Sequence, residues 1–126
     1  MKRIFVAILV VAALAGGAAF LLPAKNNKVK IGYITTLSGG AGIIGKQMQN
    51  AVNLAMEHTN GKLGGKDAEV IFVDDQRKPD VAKQLANRLI KSDKVDVVAG
   101  VIWSNLLMAI HKPVTRSDTL LSKCIC

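Results

Sequence analysis

The residues best placed to bind a small molecule are Trp103, Ser104 and Asn105, which directly follow an apolar run. If that run is a buried strand and a helix starts at Ser104, the serine hydroxyl and the free amides of the first helical turn can hold a carboxylate. The same geometry describes a plain helix N-cap, in which the hydroxyl serves the helix alone. Trp103 then either walls the site or packs against the end of the sheet.

A second candidate is the glycine-rich segment after the first predicted strand. The residues from Gly40 to Gly45 match the G-x-G-x-x-G pattern of dinucleotide-binding enzymes. Extended to Lys46, the segment also matches G-x-x-x-x-G-K, but Gln47 stands where that motif needs Ser or Thr as a magnesium ligand. A dinucleotide site also expects an acidic residue about twenty residues downstream, and Asp74 lies further on. A dinucleotide-binding enzyme fragment is therefore an alternative and not the preferred interpretation.

The remaining reactive side chains do not form a recognisable catalytic or metal site. Asp74 and Asp75 are adjacent at the end of a predicted strand, so their carboxylates would point to opposite faces, and such a pair typically caps a loop or faces solvent. His58 and His111 have no partner at ligand spacing, and nothing completes a metal site with the two cysteines at the end of the chain. We expect no catalytic residue, no metal and no cofactor.

Hydrophobic periodicity predicts the elements that position these residues. Three strands are predicted at residues 29–36, 68–73 and 95–102, and three helices at about 45–60, at 81–92 and from Ser104 onward. This β-α-β-α-β-α order predicts an α/β fold, in which helices flank both sides of an open parallel sheet. Such sheets bind ligands beyond the carboxyl ends of their strands.

Each helix has an expected buried face and expected boundaries. The apolar faces are Met48, Ala51, Val52, Ala55 and Thr59 in the first helix, Ala82, Leu85, Ala86, Leu89 and Ile90 in the second, and Leu107, Met108 and Ile110 in the third. Asp80 is expected to cap the second helix. Pro113 is expected to end or kink the third.

The chain begins with a basic start and a long apolar run, since Lys2 and Arg3 precede a stretch from Ile4 to Leu22 that carries no charge. This pattern predicts that residues 1–24 are a signal peptide, which contacts the membrane during export. The run is also just long enough to be an uncleaved anchor, which would make the protein a membrane-anchored sensor domain. Both interpretations place the rest of the chain outside the cytoplasm.

The charge pattern argues against a nucleic acid partner. The 126-residue chain carries a net charge of +8, but its cationic side chains are scattered over predicted turns and polar helix faces. Aromatic residues make up 4% of the chain, too few for a base-stacking platform. We therefore expect a solvated basic surface.

The end of the chain does not fit a complete parallel sheet. Residues 119–121 look like the approach to a fourth strand, which residues 122–126 are expected to interrupt. The third strand would then lack a neighbour on one side, and an unpaired apolar edge promotes aggregation. We interpret residues 120–126 as an aberrant or truncated tail and the chain as a fragment.

Three segments together resemble the leucine/isoleucine/valine-binding protein family, the extracytoplasmic solute receptors of branched-chain amino acid ABC importers. They are the Leu-Ser-Gly turn at Leu37, the D-D-x-x-x-P loop at Asp74 and the G-x-x-x-S strand end at Gly100. The resemblance implies that residues 25–119 form part of the N-terminal lobe of a two-lobed, non-enzymatic periplasmic protein. A retained leader would anchor it to the outer face of the inner membrane. It further implies that a solute is clamped between the lobes and that an ABC permease is the partner.

The resemblance also implies roles for individual residues. Ser104 takes the position that binds the solute's carboxylate, with Trp103 and Asn105 beside it. Ile44 takes a solute-contacting position that is aromatic in amino acid binders, and Arg77 and Trp103 take the positions of a cysteine pair found in some members. The Trp103-Ser104-Asn105 sequence resembles a branch associated with aromatic acids, so the implied solute is a branched-chain amino acid or an aromatic acid. Because clamping requires both lobes, this polypeptide alone is expected to bind solute weakly.

Overall fold

A computed structural model describes residues 28–123 of the chain. Within them, strands and helices alternate in an α/β arrangement, as the sequence predicts. In chain order they are β1 (Val29–Thr35), α1 (Gly42–His58), β2 (Lys62–Leu63), β3 (Lys66–Asp74), α2 (Pro79–Lys91), β4 (Val97–Gly100), α3 (Ser104–Thr115) and β5 (Leu120–Lys123). The predicted signal peptide and both cysteines lie outside the described residues. No helix in the described part of the chain is long and apolar enough to cross a membrane.

The strands form one sheet in the order β2-β3-β1-β4-β5. β1 lies at the centre and pairs in parallel with β3 on one side and with β4 on the other. The short edge strand β2 is antiparallel to β3, an edge hairpin that the periodicity did not indicate. The predicted parallel sheet is confirmed, and the carboxyl ends of β1, β3 and β4 consequently lie at one edge.

The expectation that the third strand lacks a neighbour is wrong. β5 pairs in parallel with β4, and Leu120, Leu121, Ser122 and Lys123 lie opposite Val97–Gly100. Neither Ser122 nor Lys123 is β-branched or aromatic, so local propensity does not indicate a strand there. The exposed edge of β4 nevertheless offers backbone donors and acceptors that must be paired, and this segment pairs with them.

β4 is shorter than the predicted strand because its backbone turns out of the sheet. Gly100 and Val101 have positive φ angles of 92° and 58°, which β-branched residues such as valine rarely adopt. Val101 is fully buried, and its amide donates to the Ile34 carbonyl oxygen at 2.7 Å. This turn directs the chain towards Trp103 at the edge where the strands end.

One face of the sheet carries the main hydrophobic core. Side chains alternate along a strand, so Ile34, Val73 and Val98 all point towards α2 and α3. The helices add the buried residues Ala82, Ala86, Leu89, Leu106, Ile110 and Val114. Each fully buried leucine or isoleucine stabilises the fold by about 1.5–3 kcal/mol. The predicted stripe of α2 is confirmed, whereas Met108 of α3 is 77% exposed and was wrongly expected in the core.

α1 covers the opposite face of the sheet, and its contact is looser. Val52 and Met56 are half-buried and, with Ile31 and Tyr33 of β1, line an apolar groove of about 250 Å³. Three of the residues expected to be buried, Ala51, Ala55 and Thr59, are exposed. The periodicity therefore identified the side of α1 that faces the sheet but overestimated how much of it is buried.

The start of α1 is set by glycines that allow close packing. The helix begins at Gly42 rather than near Gly45, and both glycines are buried. A Cβ atom at Gly45 would lie 1.9 Å from the Thr36 carbonyl oxygen, and one at Gly42 would lie 2.6 Å from the Leu37 carbonyl oxygen. A side chain at either position would push α1 away from the end of β1.

The other two helices also begin or end differently from the prediction. α2 starts at Pro79, a position that suits proline because its missing amide proton has no helical partner there. Asp80 therefore lies inside the first turn rather than at the cap. The N-cap of α3 is Trp103, and Ser104 is its first helical residue. Pro113 lies inside α3, which continues to Thr115, so it does not end the helix.

Candidate functional site

An open cavity of about 470 Å³ lies at the carboxyl ends of β1, β3 and β4. Three segments meet there: the loop from β1 to α1, the loop from β3 to α2, and the residue before α3. The lining residues are Thr36, Ser38, Gly39, Gly40, Ala41, Ile44, Gln76, Arg77 and Trp103. Most of these residues are exposed, so the cavity opens widely to solvent. The glycine-rich turn and the chain reversal before α3 thus lie on the same rim.

A buried carboxylate anchors the inner wall of this cavity. Asp75 is fully buried, and its Oδ1 accepts hydrogen bonds from the Thr36 hydroxyl at 2.6 Å and from the Arg77 amide at 2.8 Å. The Thr36 oxygen in turn accepts the Trp103 Nε1–H at 3.0 Å. A hydroxyl has one proton and two lone pairs, so Thr36 can donate to Asp75 and accept from Trp103 at once. This chain of hydrogen bonds fixes the indole ring at the cavity wall.

The loop after β3 places Arg77 on top of that ring. The guanidinium carbon of Arg77 lies 4.2 Å from the centroid of the Trp103 ring, a cation–π contact. Gln76 and Arg77 have φ angles of 51° and 59°, a left-handed conformation that costs about 1–2 kcal/mol for each non-glycine residue. The amide of Arg77 donates to Asp75, which holds this conformation in place. Strained backbone of this kind is found most often at functional sites.

Asp74 supports the same loop from its other side. Its Oδ1 accepts the Leu37 amide at 2.8 Å and the Gln76 amide at 2.9 Å. Partial burial raises the pKa of Asp74, but hydrogen bonds from Leu37, Ser38 and Gln76 outweigh that effect and hold the pKa below its usual value. Asp74 therefore caps the loop, as expected. Asp75 does not face solvent, because the Thr36 hydroxyl and the Arg77 amide satisfy one of its oxygens inside the protein.

The structure brings two of the four predicted site residues into the cavity. Trp103 and Ile44 line it, and Trp103 also packs against the hydrophobic core. Ser104 and Asn105 are exposed in the first turn of α3, next to the lining residue Trp103 but outside the lining itself. Their amides begin the helix, and such amides have no acceptor within the helix itself. They point the positive end of the α3 dipole towards the rim.

Sequence reasoning missed Thr36 and Arg77 as parts of the site. Thr36 was assigned to a strand, and nothing local indicates that its hydroxyl joins a carboxylate to an indole. Arg77 lies in the D-D-x-x-x-P loop, and that motif was a usable signal, since the loop follows a strand whose carboxyl end faces the same edge as Trp103. Among residues 28–123, no three His, Cys, Asp or Glu side chains are grouped so that they could hold a metal ion.

The glycine-rich turn has a structural explanation. Gly42 and Gly45 lie in α1 and are needed for its close packing on β1. Gly39 and Gly40 line the cavity, and a Cβ atom at either would have no neighbour within 4 Å. Two of the three glycines in the G-x-G-x-x-G match therefore reflect helix packing, and the pattern alone does not indicate a nucleotide.

The fold and the rim define a class of protein: an α/β lobe that presents an open ligand cavity at the carboxyl ends of parallel strands. Comparison with known proteins gives the family. The profile of the periplasmic binding protein family matches residues 28–122, and the chain belongs to that family. The family consists of extracytoplasmic solute-binding proteins.

Individual relatives agree with this assignment. A Leu/Ile/Val-binding protein homolog of Brucella abortus is 31% identical over 111 residues, which cover 87% of this chain and 27% of that protein. A solute-binding protein of an ABC transporter from Rhodopseudomonas palustris, solved with 3,4-dihydroxybenzoic acid, superposes with a TM-score of 0.73 at 34% identity and covers 77% of this chain and 27% of its own. The LivJ protein of Streptococcus pneumoniae, solved with isoleucine, gives a TM-score of 0.70 at 26% identity and covers 76% and 28%. The chain thus spans about a quarter of the length of these relatives.

Proposed function

We propose that this chain forms one wall of the solute site of an extracytoplasmic receptor for an ABC-type importer, and that the solute is a small organic carboxylate. The observation that carries the proposal is the meeting of the β1–α1 turn and the start of α3 on one open rim, with Ile44 and Trp103 in the lining. The amides and hydroxyl at Ser104 and the amide of Asn105 are suited to a carboxylate, because a helix N-terminus attracts anions. The relatives solved with a dihydroxybenzoic acid and with isoleucine each hold a carboxylate-bearing solute.

Further parts of this proposal follow from family membership. An ABC permease is the partner that would receive the solute, and residues 1–24 act as the export signal that brings the chain to the periplasm.

We also propose that the chain catalyses no reaction. The lining hydroxyl of Thr36 donates to the Asp75 carboxylate, accepts the Trp103 Nε1–H and belongs to a residue that is 1% exposed, so its geometry supports the wall rather than an attack on a solute.

The affinity of this chain alone is expected to be low. The lining residues lie on an open rim, so a bound solute would keep much of its surface in water. Association carries a large entropic cost that a few contacts offset poorly. We expect millimolar dissociation constants for leucine and benzoate.

The test is a titration of the isotope-labelled chain with each solute, followed by amide and indole resonances. We expect shifts that saturate at millimolar solute and are confined to the rim: Trp103, Ser104, Asn105, the turn before α1, and Gln76 and Arg77. Ser104→Ala should weaken binding several-fold, whereas Ser92→Ala, an exposed serine remote from the cavity, should not.

Two outcomes would contradict the proposal. If the rim resonances do not shift, or if remote residues shift equally, solute binding at the rim is ruled out. Micromolar affinity in calorimetry for either solute would show that this one wall is sufficient for tight binding, and the low-affinity argument would fail.

A further inference from the structure

We propose that Arg77 recognises the solute's negative charge and that this wall of the site favours carboxylates that carry no ammonium group. The inference rests on the proposed function and names the solute class for that site. It starts from the charge of the lining, in which Arg77 is a cation and no acidic side chain is present. A zwitterionic amino acid needs an acceptor for its ammonium group as well as donors for its carboxylate, and this lining offers side-chain donors in excess.

The guanidinium has hydrogen-bonding capacity to spare. Within residues 28–123, the Arg77 side chain contacts the face of the Trp103 ring and forms no ion pair or hydrogen bond with a protein acceptor. The ring contact occupies one side of the guanidinium group, and the N–H groups that do not face the ring remain available to a solute. Those groups form a planar fork that matches the two oxygens of a carboxylate.

The arginine is also held in position. The Trp103 ring beneath it is fixed by the hydrogen bond from Nε1 to Thr36, and Thr36 is fixed by the buried Asp75. The backbone of Arg77 is held in a left-handed conformation by the same carboxylate. A side chain that is held by a ring contact and an anchored backbone loses less conformational freedom when it binds an anion, which favours binding.

Two carboxylates lie close behind the cavity wall, and both are already engaged. Asp75 is fully buried behind Thr36. Asp74 accepts hydrogen bonds from the Leu37 and Gln76 amides. Neither is part of the lining, so neither offers an acceptor to a solute ammonium group.

Matched pairs of solutes test the inference. Benzoate and benzamide have nearly the same shape and differ in charge, and 4-methylpentanoate differs from leucine by the ammonium group alone. Trp103 is the single tryptophan of the chain, so its fluorescence reports on this site without a label. We expect benzoate to bind about tenfold more tightly than benzamide, and 4-methylpentanoate more tightly than leucine, since a hydrogen bond between two charged groups is stronger than one to a neutral acceptor.

Variants separate the role of Arg77 from general electrostatics. Arg77→Gln should weaken benzoate about tenfold and leave benzamide unchanged, and Arg77→Lys should fall between because it keeps the charge and loses the planar fork. Lys78→Gln removes the same charge from the neighbouring residue, which is exposed and outside the lining, and should change neither affinity. Far-UV circular dichroism confirms that each variant is folded.

The possible failures are distinguishable. If benzoate binds and Arg77→Gln leaves its affinity unchanged, the role of Arg77 is overturned while the proposed function stands. If leucine binds more tightly than 4-methylpentanoate, the inferred solute class is overturned. If no carboxylate affects Trp103 in the parent chain, the proposed function fails together with this inference.

Discussion

The packing of α1 on β1 leads to a prediction in which alanine substitutions at three glycines have different outcomes. A Cβ atom would lie 1.9 Å from a backbone oxygen at Gly45 and 2.6 Å at Gly42, and would have no neighbour within 4 Å at Gly40. Ordinary van der Waals contact begins at 3.4 Å, so α1 must move by about 1.5 Å to accept Gly45→Ala. The partner atom is a backbone oxygen, which cannot move aside as a flexible side chain can.

Two opposing terms decide the magnitude. Overpacking of this kind costs about 1–3 kcal/mol, and the short distance at Gly45 places it at the upper end. Alanine is favoured over glycine inside a helix by about 1 kcal/mol. The net loss at Gly45 is therefore about 2 kcal/mol, a large fraction of the roughly 5–15 kcal/mol that stabilises a domain. Gly42→Ala should lose less.

The assay is urea unfolding followed by far-UV circular dichroism. With a slope of about 1 kcal/mol per molar urea for so small a domain, Gly45→Ala should lower the unfolding midpoint by about 2 M. Gly40→Ala is the matched control and should be neutral or slightly stabilising, because it restricts the unfolded chain. If Gly45→Ala is as stable as the parent or more stable, the gain in helix propensity equals or exceeds the cost of overpacking, and the close contact between α1 and β1 is refuted.

Two further predictions concern the carboxylates at the rim. Thr36→Val removes the hydroxyl between Asp75 and Trp103. Because hydrogen bonds to charged groups contribute about 1.5–3 kcal/mol, the free energy of unfolding should fall by about 2 kcal/mol, and Trp103 fluorescence should shift to the red. Thr36→Ser should restore both quantities, and an unchanged emission in Thr36→Val would contradict the hydrogen-bond network. The pKa of Asp74 is lowered in the fold, so its ionised form contributes stability above the unfolded pKa of about 4 and loses it as the pH falls through the folded value. The stability difference between the parent and Asp74→Asn should therefore shrink between pH 6 and pH 3, and a difference that grows in acid would contradict this sign.

The helical side of the core was largely predictable because helix periodicity is a local property. The stripe of α2 repeats at three- and four-residue steps, and Ala82, Ala86 and Leu89 are buried as expected. The same argument failed for Met108, since the face that α3 buries depends on its rotation against α2 and the sheet. It overestimated the burial of α1 for a related reason: periodicity gives the direction of a face but not how closely a neighbour packs on it.

The location of the cavity was predictable from the sequence, but most of its lining was not. A buried strand followed by Trp103 and Ser104 was enough to place a ligand cavity at that end of the sheet, because parallel strands bring their carboxyl ends together. The roles of Thr36 and Arg77 depend on distances between three separate loops, and no single segment contains them. Asp75 was expected to cap the loop or face solvent, and it caps the loop through the Arg77 amide. Its burial was not predictable, because nothing beside it in sequence shows that the Thr36 hydroxyl donates to it.

The sequence by itself determined the alternation of strands and helices, the parallel pairing of the main strands and the edge of the sheet at which the cavity lies, since all three follow from local periodicity and chain direction. Tertiary structure alone decided that β5 pairs with β4, that Asp75 is buried, and that the guanidinium of Arg77 lies on the Trp103 ring. Each of these depends on groups far apart in the chain satisfying one another's hydrogen bonds or charge. Such pairing is a property of the assembled fold, and a local pattern cannot reveal it.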